Sequence, residues 1–150
     1  MDFPESYYYG VRKSITWDQL DSTFYGENYG ILGMFSFENG VEMAGMPVSI
    51  CFEWNEEDET AILLPAFPVM DNTIAPTEGI EAYTQPACKA LVVDYYGPYE
   101  EAGAAHEQLQ KYCDKNGLSA SVVMEEFVTD QGTVESMDEV LTKIYYFIDQ

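Results

Sequence analysis

An α+β domain made of two β-α-β-β units is the fold class that this 150-residue sequence predicts. The second unit gives the clearer evidence. A β-rich run from Cys88 to Tyr96 leads through Gly97-Pro98-Tyr99 into an amphipathic helix, and two strand patterns follow that helix. A weaker form of the same strand–helix–strand–strand pattern is present in the first half of the chain. If each unit buries one face of an antiparallel sheet against its own helix, the halves are related by a pseudo-twofold axis and enclose a central cleft.

The first unit begins with a strand and a helix. We predict a strand from Tyr7 to Ser14 and a helix start at Thr16, whose backbone N–H can bond the side chain of Gln19. Three glycines interrupt the sequence that follows, namely Gly26, Gly30 and Gly33. Because a glycine lowers helix stability by about 1 kcal/mol, we expect an irregular or broken helix that ends near Asn39.

Two strands complete the first unit. Apolar and polar residues alternate from Val48 to Trp54, which places Phe52 and Trp54 on one face with Val48. After a charged turn, residues 60–69 form a mostly apolar strand. Pro65 and Pro68 lie within it and indicate an edge position or a bulge, because proline donates no backbone hydrogen bond.

A connector and the second unit follow. Turn residues between Met70 and Pro86 predict a link between two repeat halves, about 5–75 and 85–150, of a single domain that spans residues 1–150. The strongest helix pattern in the chain runs from Tyr99 to Asn116. Two further strands are predicted after it: Val122 to Thr129 and Leu141 to Ile148.

Charge and cysteine content narrow the class of protein. The chain has 27 acidic and 6 basic residues, a net charge of −21, which disfavours direct contact with nucleic-acid phosphates. No apolar run is long enough to span a bilayer, and no leader pattern is visible. Cys51, Cys88 and Cys113 are widely spaced and typical of reduced thiols, not of a disulfide framework or a zinc site. We therefore expect a cytoplasmic protein without a cofactor or membrane contact.

Three motifs in the second half follow one another in a specific order. They are Gly97-Pro98-Tyr99, Glu125-Glu126-Phe127 and Thr142-Lys143-Ile144-Tyr145. This order resembles the GyrI-like small-molecule-binding domain, also known as the effector-binding domain of AraC- and MerR-type regulators. The resemblance implies a duplicated βαββ fold with a ligand pocket between the repeats, in which Glu125 occupies the position of the family's pocket glutamate. No helix-turn-helix pattern precedes the domain, so the chain resembles the sensor part standing alone.

Glu125 and Glu126 are the two carboxylates most relevant to a pocket. They are consecutive in a predicted strand, so their side chains point to opposite faces, Glu125 with Phe127 and Glu126 with Met124. A carboxylate among apolar neighbours loses solvation and needs a lysine, a hydrogen-bond donor or a bound cation as its partner. Glu125 is therefore the candidate anchor for a ligand. The alternative is that the strand lies near an edge of the sheet and both carboxylates are exposed to water.

Five aromatic residues are candidates for the wall of the pocket: Phe52, Trp54, Tyr95, Tyr99 and Tyr145. Aromatic faces bind planar or cationic groups, and each contact is worth roughly 0.5–2 kcal/mol. For each of these residues taken singly, packing in the core is a more common role than contact with a ligand. Lys143 shares a predicted strand face with Tyr145 and stands where the family pattern has an acid. If Lys143 faces the cleft, it could pair with Glu125 and cancel the charge that recruits a cation.

His106 is the single histidine of the chain and lies at the edge of the apolar stripe of the second helix. Packing at the helix border is favoured over a role as a metal ligand, because no second ligand motif accompanies it. No phosphate-binding loop, dinucleotide fingerprint or nucleophile elbow is present in the sequence either.

Three functions are compatible with these residues. The first is a non-enzymatic module that binds a hydrophobic, aromatic small molecule, either cationic or neutral, between its halves, with Glu125 as the polar anchor. The second, which the resemblance also implies, is a hydrolase that opens strained cyclopropane rings and uses Glu125 as general acid or base. The third is an acidic module that contacts a protein partner, either a regulator or a topoisomerase such as gyrase.

Overall fold

The computed structural model describes residues 1–20, 22–98, 101–129 and 135–149. In the first half, the elements are β1 (Asp2–Phe3), β2 (Ser6–Gly10), β3 (Lys13–Thr16), α1 (Ser22–Asn39), β4 (Val48–Asn55) and β5 (Thr60–Val69). In the second half, they are β6 (Glu81–Gln85), β7 (Cys88–Tyr96), α2 (Gly103–Lys115), β8 (Val122–Phe127) and β9 (Leu141–Phe147). Short 3-10 turns precede α1 at Trp17–Gln19 and β9 at Met137–Glu139.

The strands form one antiparallel sheet in the order β1-β7-β9-β8-β4-β5-β2-β6, and β3 pairs with the start of β5. The run β7-β9-β8 repeats the run β2-β5-β4, and the two runs meet where β4 pairs with β8. Ser49 lies opposite Glu125 at this central pairing. The predicted α+β class with duplicated βαββ units and two main helices is therefore confirmed.

Two short arms are exchanged between the halves. β1 precedes β2 in the chain but pairs with β7, whereas β6 precedes β7 but pairs with β2. Each arm is joined to its following strand by two residues that begin with proline, Pro4-Glu5 and Pro86-Ala87. Proline removes a backbone donor, which ends the pairing of the arm and lets the chain cross to the other partner.

The sheet buries residues on both faces. We call the face covered by α1 and α2 the helix face; Leu32 and Phe35 of α1 and Leu109 and Cys113 of α2 are buried there. The inner face is covered by the curled sheet itself and by side chains of the arms, such as Phe3. The buried cluster of the inner face consists of Tyr8, Val48, Ile50, Leu64, Ala66, Ala90, Met124 and Phe147.

The predicted break in the first helix is wrong. α1 is continuous from Ser22 to Asn39, although it contains all three glycines. Leu32 and Phe35 are buried against Tyr9 and Val69, and each such burial contributes about 1.5–3 kcal/mol, which offsets about 1 kcal/mol per glycine. The predicted bond from the Thr16 N–H to Gln19 is present at 3.1 Å, but it closes the 3-10 turn before α1.

The prolines of β5 do not mark an edge strand, because β5 lies between β4 and β2. Pro65 stands where β5 changes its neighbour from β3 to β2, and Pro68 lies beyond the end of β4. Each proline thus occupies a point where a neighbouring strand ends. The bulge lies instead in β4, between Cys51 and Glu53.

Three other boundaries differ from the prediction. The strand predicted from Tyr7 to Ser14 is divided into β2 and β3, and the connector 70–86 contains the arm β6. The helix predicted from Tyr99 begins at Gly103, and Tyr99 itself lies outside the described residues. Within the described part of the chain, neither helix is long and apolar enough to cross a lipid bilayer.

Candidate functional site

β8 carries its two carboxylates on opposite faces of the sheet, as its alternating pattern predicts. Glu125 shares the helix face with Val123, and Glu126 shares the inner face with Met124. β8 lies between β4 and β9, so the alternative in which it is an edge strand is wrong. Each carboxylate is only partly exposed and contacts polar groups of other elements.

On the helix face, Glu125 is part of a three-residue chain of polar contacts. The His106 Nε2 of α2 lies 3.3 Å from Glu125 Oε1, and the Nδ1 lies 3.0 Å from the hydroxyl of Tyr146. The side chains of His106 and Glu125 are 27% and 28% exposed. The pair is therefore partly shielded from solvent and partly accessible to it.

α1 contributes aromatic rings to the other side of Glu125. The hydroxyl of Tyr25 lies 3.2 Å from Ser49 Oγ, and Ser49 is opposite Glu125 in the sheet. The Tyr25 ring stacks on Tyr29 at 5.9 Å between centroids and meets the edge of Phe127 at 5.5 Å. These rings and the Glu125–His106–Tyr146 chain border one region, which we call the helix cleft. Sequence reasoning missed Tyr25 and Tyr29 because the glycines beside them obscured the helix that presents them.

Three other titratable groups in the described part of the helix cleft, Cys51, Tyr146 and Tyr25, are neutral at physiological pH. Burial raises the pKa of Cys51 to about 11 and that of Tyr146 to about 12, and it also raises the pKa of Tyr25. The charge of Glu125 adds to all three shifts because an anion nearby disfavours a second one. Within the described residues, His106 is the group found in ion-pair range of Glu125.

The inner face holds a second carboxylate in an aromatic setting. The Tyr145 hydroxyl donates a hydrogen bond of 2.9 Å to Glu126 Oε1, and Phe3 meets the Tyr145 ring edge-on at 5.6 Å. Burial, followed by the hydrogen bond to Glu126, raises the pKa of Tyr145. Lys143 is on this face too, with its Nζ 3.9 Å from Asp94 Oδ1. It pairs with Asp94 and does not neutralise Glu125, which is on the other face.

The predicted aromatic residues are spread over several places. The guanidinium carbon of Arg12 lies 4.1 Å from the centroid of the Phe52 ring. Trp54 is half exposed and stacks on Trp17 with 4.8 Å between the ring centroids. Tyr95 is on the helix face, where its hydroxyl donates to the Pro98 carbonyl at 2.9 Å. The described residues thus do not form the single aromatic wall that the sequence suggested. Binding of a ligand by these side chains stays a prediction.

The structure explains why position 97 of the Gly97-Pro98 motif is a glycine. Gly97 adopts φ 145°, and a Cβ at this position would lie 2.7 Å from the Tyr95 hydroxyl oxygen. A glycine is therefore required for the turn in which Tyr95 bonds Pro98. The motif shapes the exit of β7 toward α2, the helix that carries His106.

Two depressions of the surface lie away from Glu125. One of about 290 Å³ is lined by Tyr7, Tyr8, Pro68 and neighbouring residues, and one of about 270 Å³ lies between α2 and β7. We assign the candidate site to the helix cleft on its chemistry, since neither depression contains the Glu125 carboxylate.

The fold is thus an α+β domain with a carboxylate at the centre of a duplicated sheet and both helices on the face that carries it. The sequence matches the family model of the GyrI-like small molecule binding domain over residues 1–148, and the chain belongs to this family. The predicted family is thereby confirmed. No curated protein matches the sequence itself.

Solved structures share the fold at low sequence identity. The EcmrR C-terminal domain matches with a TM-score of 0.84 at 17% identity, over 100% of this chain and 95% of that one. In the EcmrR–DNA complex, this chain spans only 56% of the EcmrR chain, with a TM-score of 0.81 at 17% identity.

Two further solved structures are similar to this chain in fold. SAV2435 bound to tetraphenylphosphonium matches with a TM-score of 0.72 at 13% identity, over 99% of this chain and 92% of that one. A hydrolase encoded by lin2189 from Listeria innocua matches with a TM-score of 0.64 at 10% identity, over 99% and 90%. At these identities, the likeness shows the fold alone.

Proposed function

We propose that the helix cleft binds a hydrophobic aromatic small molecule that carries a positive charge, with Glu125 as its anchor. The observation that carries this proposal is the position of the Glu125 carboxylate. It lies at the middle of the sheet, partly buried, with aromatic rings of α1 on one side and a histidine of α2 on the other. A carboxylate in this setting is stabilised by a cation that also replaces its lost hydration.

Two physical features favour a cation over a neutral ligand. The net charge of −21 makes the protein attract cations electrostatically. The faces of Tyr25 and Tyr29 offer cation–π contacts worth roughly 0.5–2 kcal/mol each. SAV2435, which shares the fold, has been solved with tetraphenylphosphonium, an aromatic cation of this class. The free thiols of Cys51, Cys88 and Cys113 support the accompanying proposal of a cytoplasmic, reducing location.

Entry of a bulky ligand requires side chains to move. The Tyr25–Ser49 contact is one polar link between α1 and the sheet at the helix cleft, and a hydrogen bond of this kind contributes about 1 kcal/mol. We propose that Tyr25 rotates away from Ser49 and then packs on the ligand. The stacked Tyr29 is held by its own bond to the Val48 carbonyl at 2.6 Å and forms a fixed wall.

The test uses tetraphenylphosphonium as probe and tetraphenylborate as its analogue of similar shape and opposite charge. Calorimetric titration of the wild type should show binding of the cation and not of the anion. Glu125→Gln should weaken cation binding about tenfold or more, the effect of losing a charge-assisted contact worth about 1.5–3 kcal/mol.

Glu126→Gln is the matched control, because it removes a neighbouring carboxylate from the opposite face. Cation affinity within about twofold of wild type is expected for this variant. Equal losses in the two variants would show a general effect of net charge and would contradict a site at Glu125. Absence of any binding to the wild type would contradict the cationic ligand class.

A hydrolase is the second candidate, favoured by the contacts of His106 with both Glu125 and Tyr146. A carboxylate-linked imidazole can act as general base on a water molecule, which then attacks a strained cyclopropane carbon. The ring C–C bond breaks, a C–OH bond forms, and the proton returns to the carbanionic carbon. Mass spectrometry of an electrophilic cyclopropane incubated with the protein should show a gain of one water that His106→Gln abolishes. Binding of the substrate without this product would support a binding module alone.

A further inference from the structure

We propose that His106 sets the charge of the helix cleft and makes the binding of cations dependent on pH. Neutral His106 leaves the Glu125 carboxylate available to a cationic ligand. Protonated His106 pairs with the same carboxylate and competes with that ligand. The inference rests on the proposed function, and it assigns to His106 the role of a positioning and specificity-determining residue.

The contacts of Tyr146 allow both protonation states of the histidine without rearrangement. The Tyr146 hydroxyl lies 3.0 Å from His106 Nδ1 and 3.3 Å from the His106 backbone carbonyl oxygen. When the imidazole is neutral with its hydrogen on Nε2, Tyr146 donates to Nδ1 and Nε2–H donates to Glu125. When the imidazole is charged, Nδ1–H donates to Tyr146, whose own hydrogen then points to the carbonyl. Every polar group keeps a partner in each state.

The groups that face this pair do not compete for the proton near neutral pH. They come from each packed element: Tyr25 of α1, Cys51 of β4, Tyr146 of β9 and Cys113 of α2. Burial raises the pKa of all four, so all stay neutral. Glu107, which follows His106 in α2, is exposed and screened by solvent. The ion pair of Glu125 and His106 is thus the part of the described helix cleft on which the proposal rests.

The sign of the effect follows from competition for one carboxylate. A cation bound to Glu125 disfavours the imidazolium, so binding of the cation releases a proton when the pH is low. Linkage requires the converse: protonation of His106 must weaken the binding of the cation. Cation affinity should therefore rise with pH, whereas the affinity of a neutral analogue such as triphenylphosphine oxide should change little.

The test is calorimetric titration with tetraphenylphosphonium at about pH 5.5 and about pH 8, on either side of ordinary histidine titration. We expect the wild type to bind about fivefold or more tightly at the higher pH, the lower range of typical coupling between sites. His106→Gln keeps every other titratable group and a donor toward Glu125, so its affinity should be nearly the same at both pH values. Titrations in buffers of different ionisation enthalpy should show proton release by the wild type that the variant lacks.

The possible results separate the inference from the function on which it rests. Tight binding to the wild type with no dependence on pH, or with the same dependence in His106→Gln, would overturn the role of His106 and leave the cationic ligand intact. No binding at either pH would overturn both. Because His106 is the single histidine, its ¹⁵N resonances also report the tautomer directly. A neutral ring with its hydrogen on Nδ1 would contradict the proposed donation to Glu125.

Discussion

Tyr145 and Tyr146 are adjacent in β9, yet their hydroxyl groups belong to two different polar sites on opposite faces of the sheet. The Tyr145 hydroxyl donates to Glu126 at 2.9 Å, and the Tyr146 hydroxyl contacts His106 at 3.0 Å. The carboxylates of β8 are likewise adjacent, so two neighbouring strands supply one tyrosine and one glutamate to each face. Substitutions at successive positions can therefore test the two faces separately.

Conservative variants of these tyrosines should differ in their effect on ligand binding. Tyr145→Phe removes the bond to Glu126 and should lower the free energy of unfolding by about 1 kcal/mol, while tetraphenylphosphonium affinity stays within about twofold. Tyr146→Phe should have a similar cost in stability but should also change the pH dependence of binding, because Nδ1 of His106 loses its partner. Urea denaturation and calorimetry measure the two quantities. Equal effects of both variants on binding would contradict a site confined to the helix face.

Alanine substitutions in α1 should stabilise the protein. A Cβ built at Gly26, Gly30 or Gly33 meets no atom within 4 Å, so alanine fits in each position of the helix without a clash. Each change should raise the free energy of unfolding by about 0.5–1 kcal/mol and the melting temperature by about 2–4 °C. Differential scanning calorimetry of the single and triple variants checks this. A fall in stability would mean that the glycines serve a close contact.

The same substitution at Gly10 should have the opposite effect. A Cβ there would lie 2.6 Å from Leu64 Cγ and 2.9 Å from the Pro65 carbonyl oxygen. Leu64 is fully buried, so neither the side chain nor the backbone of β5 can move aside freely. Gly10→Ala should cost about 1–3 kcal/mol in chemical denaturation, the usual penalty of overpacking. Gly30→Ala is the control for the chemical change itself.

Asp149 should make stability depend on pH in the acid range. Its carboxylate accepts bonds from the Ser121 hydroxyl at 2.7 Å, the Ser121 N–H at 3.1 Å and the Ser119 hydroxyl at 3.0 Å. The Ser121 bonds are the main cause of a pKa below the ordinary value of 3.8. A lowered folded pKa stabilises the native state above the unfolded pKa, and this contribution is lost as the pH falls through the folded pKa.

Asp149→Asn should therefore be less stable than wild type near pH 7, by at most about 1 kcal/mol because the site is exposed. The difference should shrink as the pH is lowered below about 3.8. Thermal unfolding followed by circular dichroism across this range measures it. A difference that persists unchanged in acid would show that the carboxylate charge is not its source.

The strand faces were predictable, but the geometry of the site was not. Alternation alone placed Glu125 and Glu126 on opposite faces and Lys143 on the face of Tyr145, and the structure agrees with both. On each face of β8, the residues next to the carboxylate are apolar. The sequence pattern therefore could not decide which face packs against the helices. That choice, which places Lys143 away from Glu125, depends on how the whole sheet curls.

Other features depend on contacts between distant segments. β6 was missed because its partner β2 lies about 75 residues earlier in the chain, so no local hairpin signal marks it. His106 was interpreted as a packing residue at the helix border, since its partners Glu125 and Tyr146 come from two later strands. The continuity of α1 is likewise a tertiary effect, because burial of Leu32 and Phe35 outweighs the local preference of the glycines.

The exchanged arms give this single chain the construction of a domain-swapped homodimer. Each half provides the strand that covers the outer edge of the first strand of the other half, and the two central strands join the halves directly. A polypeptide cut in the connector would leave β2 and β7 without their arms, and two copies of a half would have to trade arms to cover those edges. The repeats are therefore mutually dependent, and loss of either arm exposes a sheet edge in the opposite repeat.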